Sequence, residues 1–206
     1  APLRHLRYMT ESAFDQASLD QTPILRDVLR AIEDQSQRMS NMLTALFEYS
    51  SLGRKYEALE VVDTAALAKN IIASLPTFKH HVRISGQWPT LSTLRAPLDL
   101  VLRNLIANAL QHHDQPSGLI TLNCIDEPHT LIFEVLDDGP GIDPKHHSAI
   151  FLPFRTLDTA SASTGMGLAS VKKTIEAIGG KIELFSNPTV GRGTTLRLLW
   201  PKAIRP

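Results

Sequence analysis

The stretch Asp137-Asp138-Gly139-Pro140-Gly141-Ile142 decides which fold this chain can adopt. It follows directly on the apolar run at 131–136, which predicts a strand that ends in an acidic residue and a glycine-containing loop. Gly139 and Gly141 allow the backbone to approach a ligand closely, and a carboxylate at a strand end can accept a hydrogen bond from an exocyclic amine. A plain acidic turn explains the same residues, so this stretch alone leaves both interpretations open.

A second glycine-rich stretch, Ser163-Thr164-Gly165-Met166-Gly167-Leu168-Ala169, opens a helix that we predict over 168–178. The free N–H groups and the dipole of a helix N-terminus favour a bound anion such as phosphate. Two common phosphate-binding motifs are excluded. No Gly-Lys-Ser/Thr follows, as a P-loop requires, and no strand leads directly into the glycines, as a dinucleotide-binding fingerprint requires.

Two asparagines lie on the helix predicted over 95–113. Asn104 and Asn108 are four residues apart and therefore share one helix face, which is otherwise apolar. An amide oxygen is a hard ligand suited to Mg²⁺, although amides in solvent or bonded to backbone fit the same spacing. His112-His113-Asp114 closes this helix; adjacent histidines diverge on a helix, so we predict a capping or supporting role for them rather than a zinc site.

The remaining pattern predicts an α+β fold, an α/β sandwich with one mixed sheet and helices on one face. Strands are predicted at 82–85, 119–125, 131–136, 181–186 and 194–200, and a further helix at 63–75. The hairpin connections between neighbouring strands and the helices grouped between them favour this arrangement over alternating strands and helices.

Residues 1–54 have a different character. Apolar residues recur there at alternating spacings of three and four, and Thr22 and Pro23 form a helix start whose stop would be Gly53. With a weaker stripe upstream and a loop near 18–21, this predicts a helical hairpin that dimerises into a four-helix bundle. Packing of the stripe on the rest of the same chain is the alternative. The predicted domains are therefore 1–54 and 55–206.

Composition excludes several classes of function. The 206 residues carry 21 Lys and Arg against 21 Asp and Glu, so the chain lacks the basic surplus of a nucleic-acid binder. The single cysteine, Cys124, cannot form an internal disulfide or a cysteine-rich zinc site. No apolar run approaches the ~18 residues that span a bilayer, and no secretory signal is present. These features predict a cytoplasmic location and no nucleic-acid partner.

Five motifs in order resemble the catalytic core of sensor histidine kinases. That core belongs to an ATPase superfamily shared with gyrase-type topoisomerases, mismatch-repair ATPases and a class of chaperones. The motifs are Asn104-Leu105-Ile106-Ala107-Asn108-Ala109, Asp137-Asp138-Gly139-Pro140-Gly141, Phe151-Leu152-Pro153-Phe154, Gly165-Met166-Gly167-Leu168 and Gly191-Arg192-Gly193-Thr194-Thr195. The resemblance implies a Bergerat-type ATP-binding fold with ATP and Mg²⁺ as cofactors.

The resemblance also implies roles for individual residues. Asp137 would bind the adenine amino group with Thr195 nearby, and Asn108 would hold Mg²⁺. Asn104 stands where related ATPases carry a hydrolytic Glu, and an amide cannot act as a general base. Arg155 is a hypothetical source of positive charge. The implied nucleotide-binding residues are Asn108, Gln111, His112, Asp137, Gly139, Gly141, Ile142, Phe154, Thr164, Gly165, Met166, Gly167, Leu168 and Thr195.

Three departures from the family pattern bear on activity. Gln111 stands where many members have a Lys, and Ser163 where many have a Gly. Ala1-Pro2-Leu3-Arg4-His5-Leu6 resembles the tail of the phosphoacceptor box, so the acceptor histidine is expected just before Ala1 and not at His5. We therefore expect these 206 residues to bind nucleotide without phosphorylating themselves.

The resemblance implies a protein-histidine kinase of a two-component system. It would transfer the ATP γ-phosphate to a bundle histidine and then to an Asp of a response regulator receiver domain. The implied partners are a second copy, that receiver domain and an upstream sensory domain. A degenerate module of the same fold, serving phosphotransfer or docking without ATP, is the alternative. An ATPase clamp would carry Glu at 104, where this chain has Asn104.

Overall fold

The computed structural model describes residues 23–51, 58–75, 80–115, 117–157 and 164–204. Predictions that fall on His5, on the loop at 18–21, on Thr22, Gly53 or Ser163, or on the start of the chain lie outside these residues. The helices are α1 (Pro23–Ser51), α2 (Thr64–Ser74), α3 (Arg95–Gln111) and α4 (Gly167–Ala177). The strands are β1 (Glu60–Asp63), β2 (His81–Gly86), β3 (Thr90–Thr93), β4 (Leu119–Asp126), β5 (Thr130–Asp137), β6 (Lys181–Phe185) and β7 (Thr194–Pro201).

Five strands form one mixed sheet in the order β2-β4-β5-β7-β6. Strand β2 runs parallel to β4, and every other neighbouring pair is antiparallel. This confirms the predicted α+β architecture with a mixed sheet. The sequence pattern missed a second sheet, the antiparallel pair β1–β3. These strands have four residues each, with one buried residue in each, and are too short to show a clear alternation.

Helices α2, α3 and α4 pack on one face of the five-stranded sheet. Alternate residues of β7 are buried, as the period of two in a strand requires. The core combines these with apolar residues from all three helices. Its largest fully buried side chains are Trp200, Phe133, Ile71, Leu98, Leu102, Leu105, Ile106, Ile120, Leu122, Leu131, Met166 and Ile175.

The opposite face of the sheet carries a polar network across its central strands. The Nδ2 group of Asn123 donates to Glu134 at 2.9 Å, and the Nε group of Arg197 donates to the same carboxylate at 2.8 Å. The three residues lie on β4, β5 and β7, respectively. One face of the sheet is therefore apolar under the helices and the other is hydrogen-bonded.

Helix α1 is a single helix of 29 residues, and the described apolar side chains in the middle of its predicted stripe are exposed. Ile32, Met39, Met42 and Leu46 are each between 36% and 46% exposed, so the described remainder of the chain does not cover this stripe. Near its end the helix meets α4. The Lys173 ammonium donates to the Tyr49 carbonyl at 2.5 Å and lies 4.3 Å from the centroid of the Tyr49 ring.

No helix in the described part of the chain is long and apolar enough to cross a membrane.

A buried hydrogen bond links the core to the small sheet. The indole Nε1 of Trp200 donates to the Thr93 hydroxyl at 2.9 Å, and both residues are fully buried. We expect Thr93→Val, which keeps the shape but removes the acceptor, to lower the free energy of unfolding by ~1–3 kcal/mol. Chemical denaturation measures this value. Thr90→Val on the exposed part of β3 is the control, and an equal effect of the two variants would contradict the assignment.

Candidate functional site

The site lies where the ends of α3, β5, α4 and β7 meet. Helix α3 buries the face formed by Leu98, Val101, Leu102, Leu105 and Ile106 against the sheet. Asn104 and Asn108 therefore point along the flank that faces α4, and both side chains are partly exposed. The turn at Gly165, with φ +66°, carries the chain into α4.

Helix α4 approaches the two asparagines because residue 167 has no side chain. A Cβ on Gly167 would lie 2.8 Å from Asn104 Oδ1 and 3.8 Å from Asn108 Oδ1. Asn104 Nδ2 donates to the Leu100 carbonyl at 2.8 Å, which fixes its amide so that Oδ1 faces α4. Among the described residues no hydrogen bond engages the Asn108 carboxamide, so its oxygen is available to a ligand. The structure thus brings the predicted asparagine and glycine motifs together.

Asp137 ends β5 on the helix-covered face of the sheet. It is distant from the two asparagines in sequence but lies in the same region of the fold. Its carboxylate accepts the Gly139 N–H at 3.0 Å. Burial raises the pKa of Asp137, and this outweighs the stabilisation of the charged form by the Gly139 hydrogen bond. A partly desolvated carboxylate is a strong hydrogen-bond acceptor for an amino group.

The loop after Asp137 is held by Ser186, a residue that the sequence analysis did not single out. The Ser186 hydroxyl accepts the Ile142 N–H at 2.8 Å and donates to the Gly193 carbonyl at 2.8 Å. Gly141 has φ +78°, and a Cβ there would lie 3.1 Å from Ser186 Oγ. Only a glycine therefore allows the loop to sit against the β6–β7 turn. A serine at the end of a predicted strand gave no clear sign of this role.

The structure places Thr194, rather than the predicted Thr195, beside Asp137. Asp137 is directly paired with Thr194 in the β5–β7 ladder, so the two share a face of the sheet. Thr195 pairs with Leu136 and lies on the other face. A backbone hydrogen bond from Thr194 also favours the charged form of Asp137. The sequence reasoning named Thr195 without the strand register, which decides which threonine is paired with Asp137, and the nucleotide-binding role of Thr195 stays a prediction.

The side chains of the other predicted residues differ in their exposure to solvent. Met166 is only 2% exposed and Leu168 packs against the core, so each can offer a ligand little beyond its backbone. Gln111, His112, Phe154 and Arg155 are exposed side chains around the site, and Gly139, Gly141, Ile142, Thr164 and Gly165 are buried or partly buried around it. A Cβ on Gly165 would lie 2.7 Å from the Arg155 backbone nitrogen, so the chain at residue 165 packs closely against the chain at residue 155.

A cavity of about 650 Å³ lies beside Asp137, at the ends of β5, β7 and β6. It does not extend to the asparagines of α3. Its lining residues are Leu136, Asp137, His147, Leu184, Phe185, Ser186, Asn187, Val190, Gly191, Arg192, Gly193, Thr194 and Thr195. The described residues contain no cluster of three or more His, Cys, Asp and Glu side chains placed to hold a metal.

The family model described as "Histidine kinase-, DNA gyrase B-, and HSP90-like ATPase" matches residues 93–204, more than half of the chain and all of the site. The chain belongs to this family. The family match and the observed fold together agree with an ATP-binding domain of the type found in histidine kinases.

Named relatives and solved structures agree with this membership. Cyanobacterial phytochrome B of Nostoc sp. is 33% identical over 78% of this chain, and sensor protein TorS of Escherichia coli is 30% identical over 84%. The chain spans about a fifth of the length of these relatives. Full-length ShkA, solved in complex with AMPPNP, covers 99% of this chain at 22% identity with a TM-score of 0.74, and the match spans 44% of ShkA.

A second solved structure is similar over almost the whole of this chain and of its own chain. The histidine kinase AdeS of Acinetobacter baumannii covers 97% of this chain, and 95% of its own chain is matched, with 18% identity and a TM-score of 0.69. At this level of identity the match shows the fold.

The raised pKa of Asp137 predicts a stability that depends on pH. The folded state binds the proton of this carboxyl more tightly than the unfolded state does. Stability therefore falls as pH rises from the ordinary Asp value near 3.8 through the raised folded-state pKa. Asp137→Asn removes this titration and keeps an oxygen for the Gly139 N–H. We expect the variant to be at least as stable as the parent at pH 7, by thermal melting, with a smaller difference near pH 4.

The exposed Asp34→Asn substitution on α1 serves as the control for that experiment. A variant at Asp137 that is markedly less stable than the parent at neutral pH would show that the charge is favourable in the fold, contrary to this account.

The Ser186 contacts predict a specific local opening. Ser186→Ala removes the acceptor of the Ile142 N–H and the donor to the Gly193 carbonyl. We expect the Ile142 amide to exchange with solvent about fivefold faster, since a hydrogen bond contributes ~1 kcal/mol. Hydrogen exchange followed by NMR measures this. Ser92→Ala in β3 should leave Ile142 unchanged, and equal protection in both variants would refute the role of Ser186.

Proposed function

We propose that this chain is the ATP-binding catalytic part of a two-component sensor histidine kinase. It would transfer the γ-phosphate of ATP to a histidine of the helical hairpin, from which the phosphate passes to an Asp of a response regulator receiver domain. The observation that carries the proposal is the approach of α4 to Asn104 and Asn108 across Gly167, which places a helix N-terminus beside two amide oxygens.

Adenine would occupy the side of the site bounded by Asp137 and Thr194. The Asp137 carboxylate would accept a hydrogen bond from the adenine amino group, and the buried setting strengthens that bond. The cavity beside Asp137 provides room for a flat ring. The likeness to ShkA, whose structure is a complex with AMPPNP, supports nucleotide binding by this fold.

The phosphates would lie between α3 and the first turn of α4. The N-terminus of α4, which approaches the asparagines, carries the positive end of the helix dipole. Phosphoryl transfer depends mainly on positioning and charge neutralisation. Because Gln111 supplies no charge, the exposed Arg155, whose backbone lies next to Gly165, is the proposed additional cation.

Asn108 would hold Mg²⁺ through its free carboxamide oxygen. The residues present fit this ion, because Mg²⁺ takes one or two protein oxygens and completes its shell with phosphate oxygens and water. When bound, the ion would neutralise the charge of the phosphates. The protein's part is to hold Asn108 beside the N-terminus of α4, as Gly167 allows.

Asn104 favours transfer to a histidine over hydrolysis. An amide cannot accept a proton from water as a carboxylate can, so it cannot serve as a general base. Its Nδ2 is already bound to the Leu100 carbonyl, which restricts the amide to a positioning role. An ATPase clamp, which needs a base there, is disfavoured for the same reason.

The proposed partners follow from α1. Its exposed apolar stripe would pair with the same helix of a second copy and close a four-helix bundle. The contact between Lys173 and Tyr49 holds the end of this helix beside α4, which begins at the proposed phosphate site. A receiver domain, a sensory domain in the longer protein and a cytoplasmic location belong to the same proposal.

Nucleotide titration tests the two ends of the site separately. We expect calorimetry with ATP and Mg²⁺ to show binding that Asp137→Asn weakens at least about tenfold, since a hydrogen bond to a charged group contributes ~1.5–3 kcal/mol. Asn108→Ala should instead lose most of the enhancement by Mg²⁺ while it keeps metal-free binding. Asn70→Ala, on the exposed face of α2, is the control.

Absence of binding at millimolar ATP would refute the proposal. It would leave the alternative in which the same fold serves only phosphotransfer or docking.

The α1 stripe predicts the oligomeric state. We expect the chain to sediment as a dimer, and Met42→Glu with Leu46→Glu to yield monomers, because charges in the seam oppose burial. Thr44→Glu, on the other side of the helix, should leave the dimer intact. A parent chain that sediments as a monomer at micromolar concentration would contradict this part of the proposal.

A further inference from the structure

His113 has no place in the nucleotide site, yet its side chain has no exposed surface at all. It lies two residues beyond the end of α3, under the loop that begins at Asp137. The ring is closely packed, since a Cβ on Gly118 would come within 2.1 Å of its Nε2. The His80 ring lies against it with centroids 4.9 Å apart. A buried imidazole that cannot move holds its hydrogen-bond partner in a fixed position.

The hydrogen bonds of His113 define its tautomer and its target. Its Nδ1 accepts the backbone N–H of Gln115 at 3.1 Å. In the neutral ring the proton therefore resides on Nε2, which donates to the Asp138 carboxylate at 2.6 Å. The hydrogen bond from His113 is the main cause of a lowered pKa of Asp138.

Asp138 in turn connects three parts of the fold. The same carboxylate oxygen accepts the N–H of Leu119 at 2.9 Å, which ties it to the start of β4. The Asp138 carbonyl accepts from the Arg192 guanidinium at 3.3 Å, and Arg192 also donates to Asp114 at 2.7 Å. Fixing Asp138 also fixes its neighbour Asp137, because adjacent residues at a strand end project to opposite faces.

We propose that His113 is a positioning residue for nucleotide recognition: it holds Asp138 so that Asp137 is presented to the exocyclic amino group of adenine. This rests on the proposed ATP-binding function and adds a residue that touches no part of the nucleotide. His113 acts on the adenine end alone. Among the described residues, no hydrogen bond joins it to the asparagines or to the start of α4, which would hold the phosphates.

The test compares two nucleotides that differ only at the amino group. Inosine triphosphate carries an oxygen where ATP carries the amino group that Asp137 would bind. We expect His113→Ala to weaken ATP binding by about tenfold, the effect of one charge-assisted hydrogen bond, and to leave inosine triphosphate binding unchanged. The preference for ATP over inosine triphosphate, from calorimetry with Mg²⁺, therefore falls by the same factor.

Conservative variants keep the test decisive if His113→Ala does not fold. The amide nitrogen of glutamine reaches about as far as imidazole Nε2, whereas that of asparagine is one bond shorter. His113→Gln should therefore restore the preference for ATP and His113→Asn should not.

His129→Ala, in the exposed turn at the far end of β5, is the matched control. Asp138→Ala should lower the preference as His113→Ala does, and the double variant should lower it no further.

The outcomes separate this inference from the proposed function. If the parent chain binds neither nucleotide, the proposed function fails. If the parent prefers ATP and the His113 variants keep that preference or lose both nucleotides equally, the positioning role is refuted while ATP binding stands.

Discussion

The structure depends on the close approach of α4 to α3. At Gly167 any side chain would collide with the Asn104 carboxamide, because its first carbon would lie 2.8 Å from Oδ1. The absence of that carbon places a helix N-terminus against two asparagines. Without this approach the asparagines would face solvent, and the N-terminus of α4 would lie away from them. The same packing buries the apolar side of α3 on the sheet.

The end of the site at Asp137 depends on a different kind of constraint, a loop held at both ends. His113 holds Asp138 at the loop's start through a hydrogen bond of 2.6 Å, and Ser186 holds Ile142 at its end through one of 2.8 Å. Burial raises the pKa of Asp137, so the charged form of this carboxylate lowers the stability of the folded chain. A site fastened in this way before the ligand arrives suits a reaction that is governed by positioning.

Much of this could be predicted from residue patterns, and the failures have physical causes. The 3.6-residue period of α3 and the alternation of β4, β5 and β7 predict the mixed sheet and the shared face of Asn104 and Asn108. Periodicity does not fix which residues pair across strands, so it could not decide between Thr194 and Thr195. Periodicity also does not show the tertiary contacts that give His113 and Ser186 their roles, because each of them bonds to a residue that is distant in sequence.

The proposed function requires one nucleotide to span the two halves of this site. A crystal structure of the chain with AMPPNP and Mg²⁺ would show whether it does. We expect the adenine amino group within hydrogen-bond distance of the Asp137 carboxylate and the phosphates between Asn108 and the N-terminus of α4. A nucleotide bound elsewhere, or one whose adenine lies away from Asp137, would contradict it.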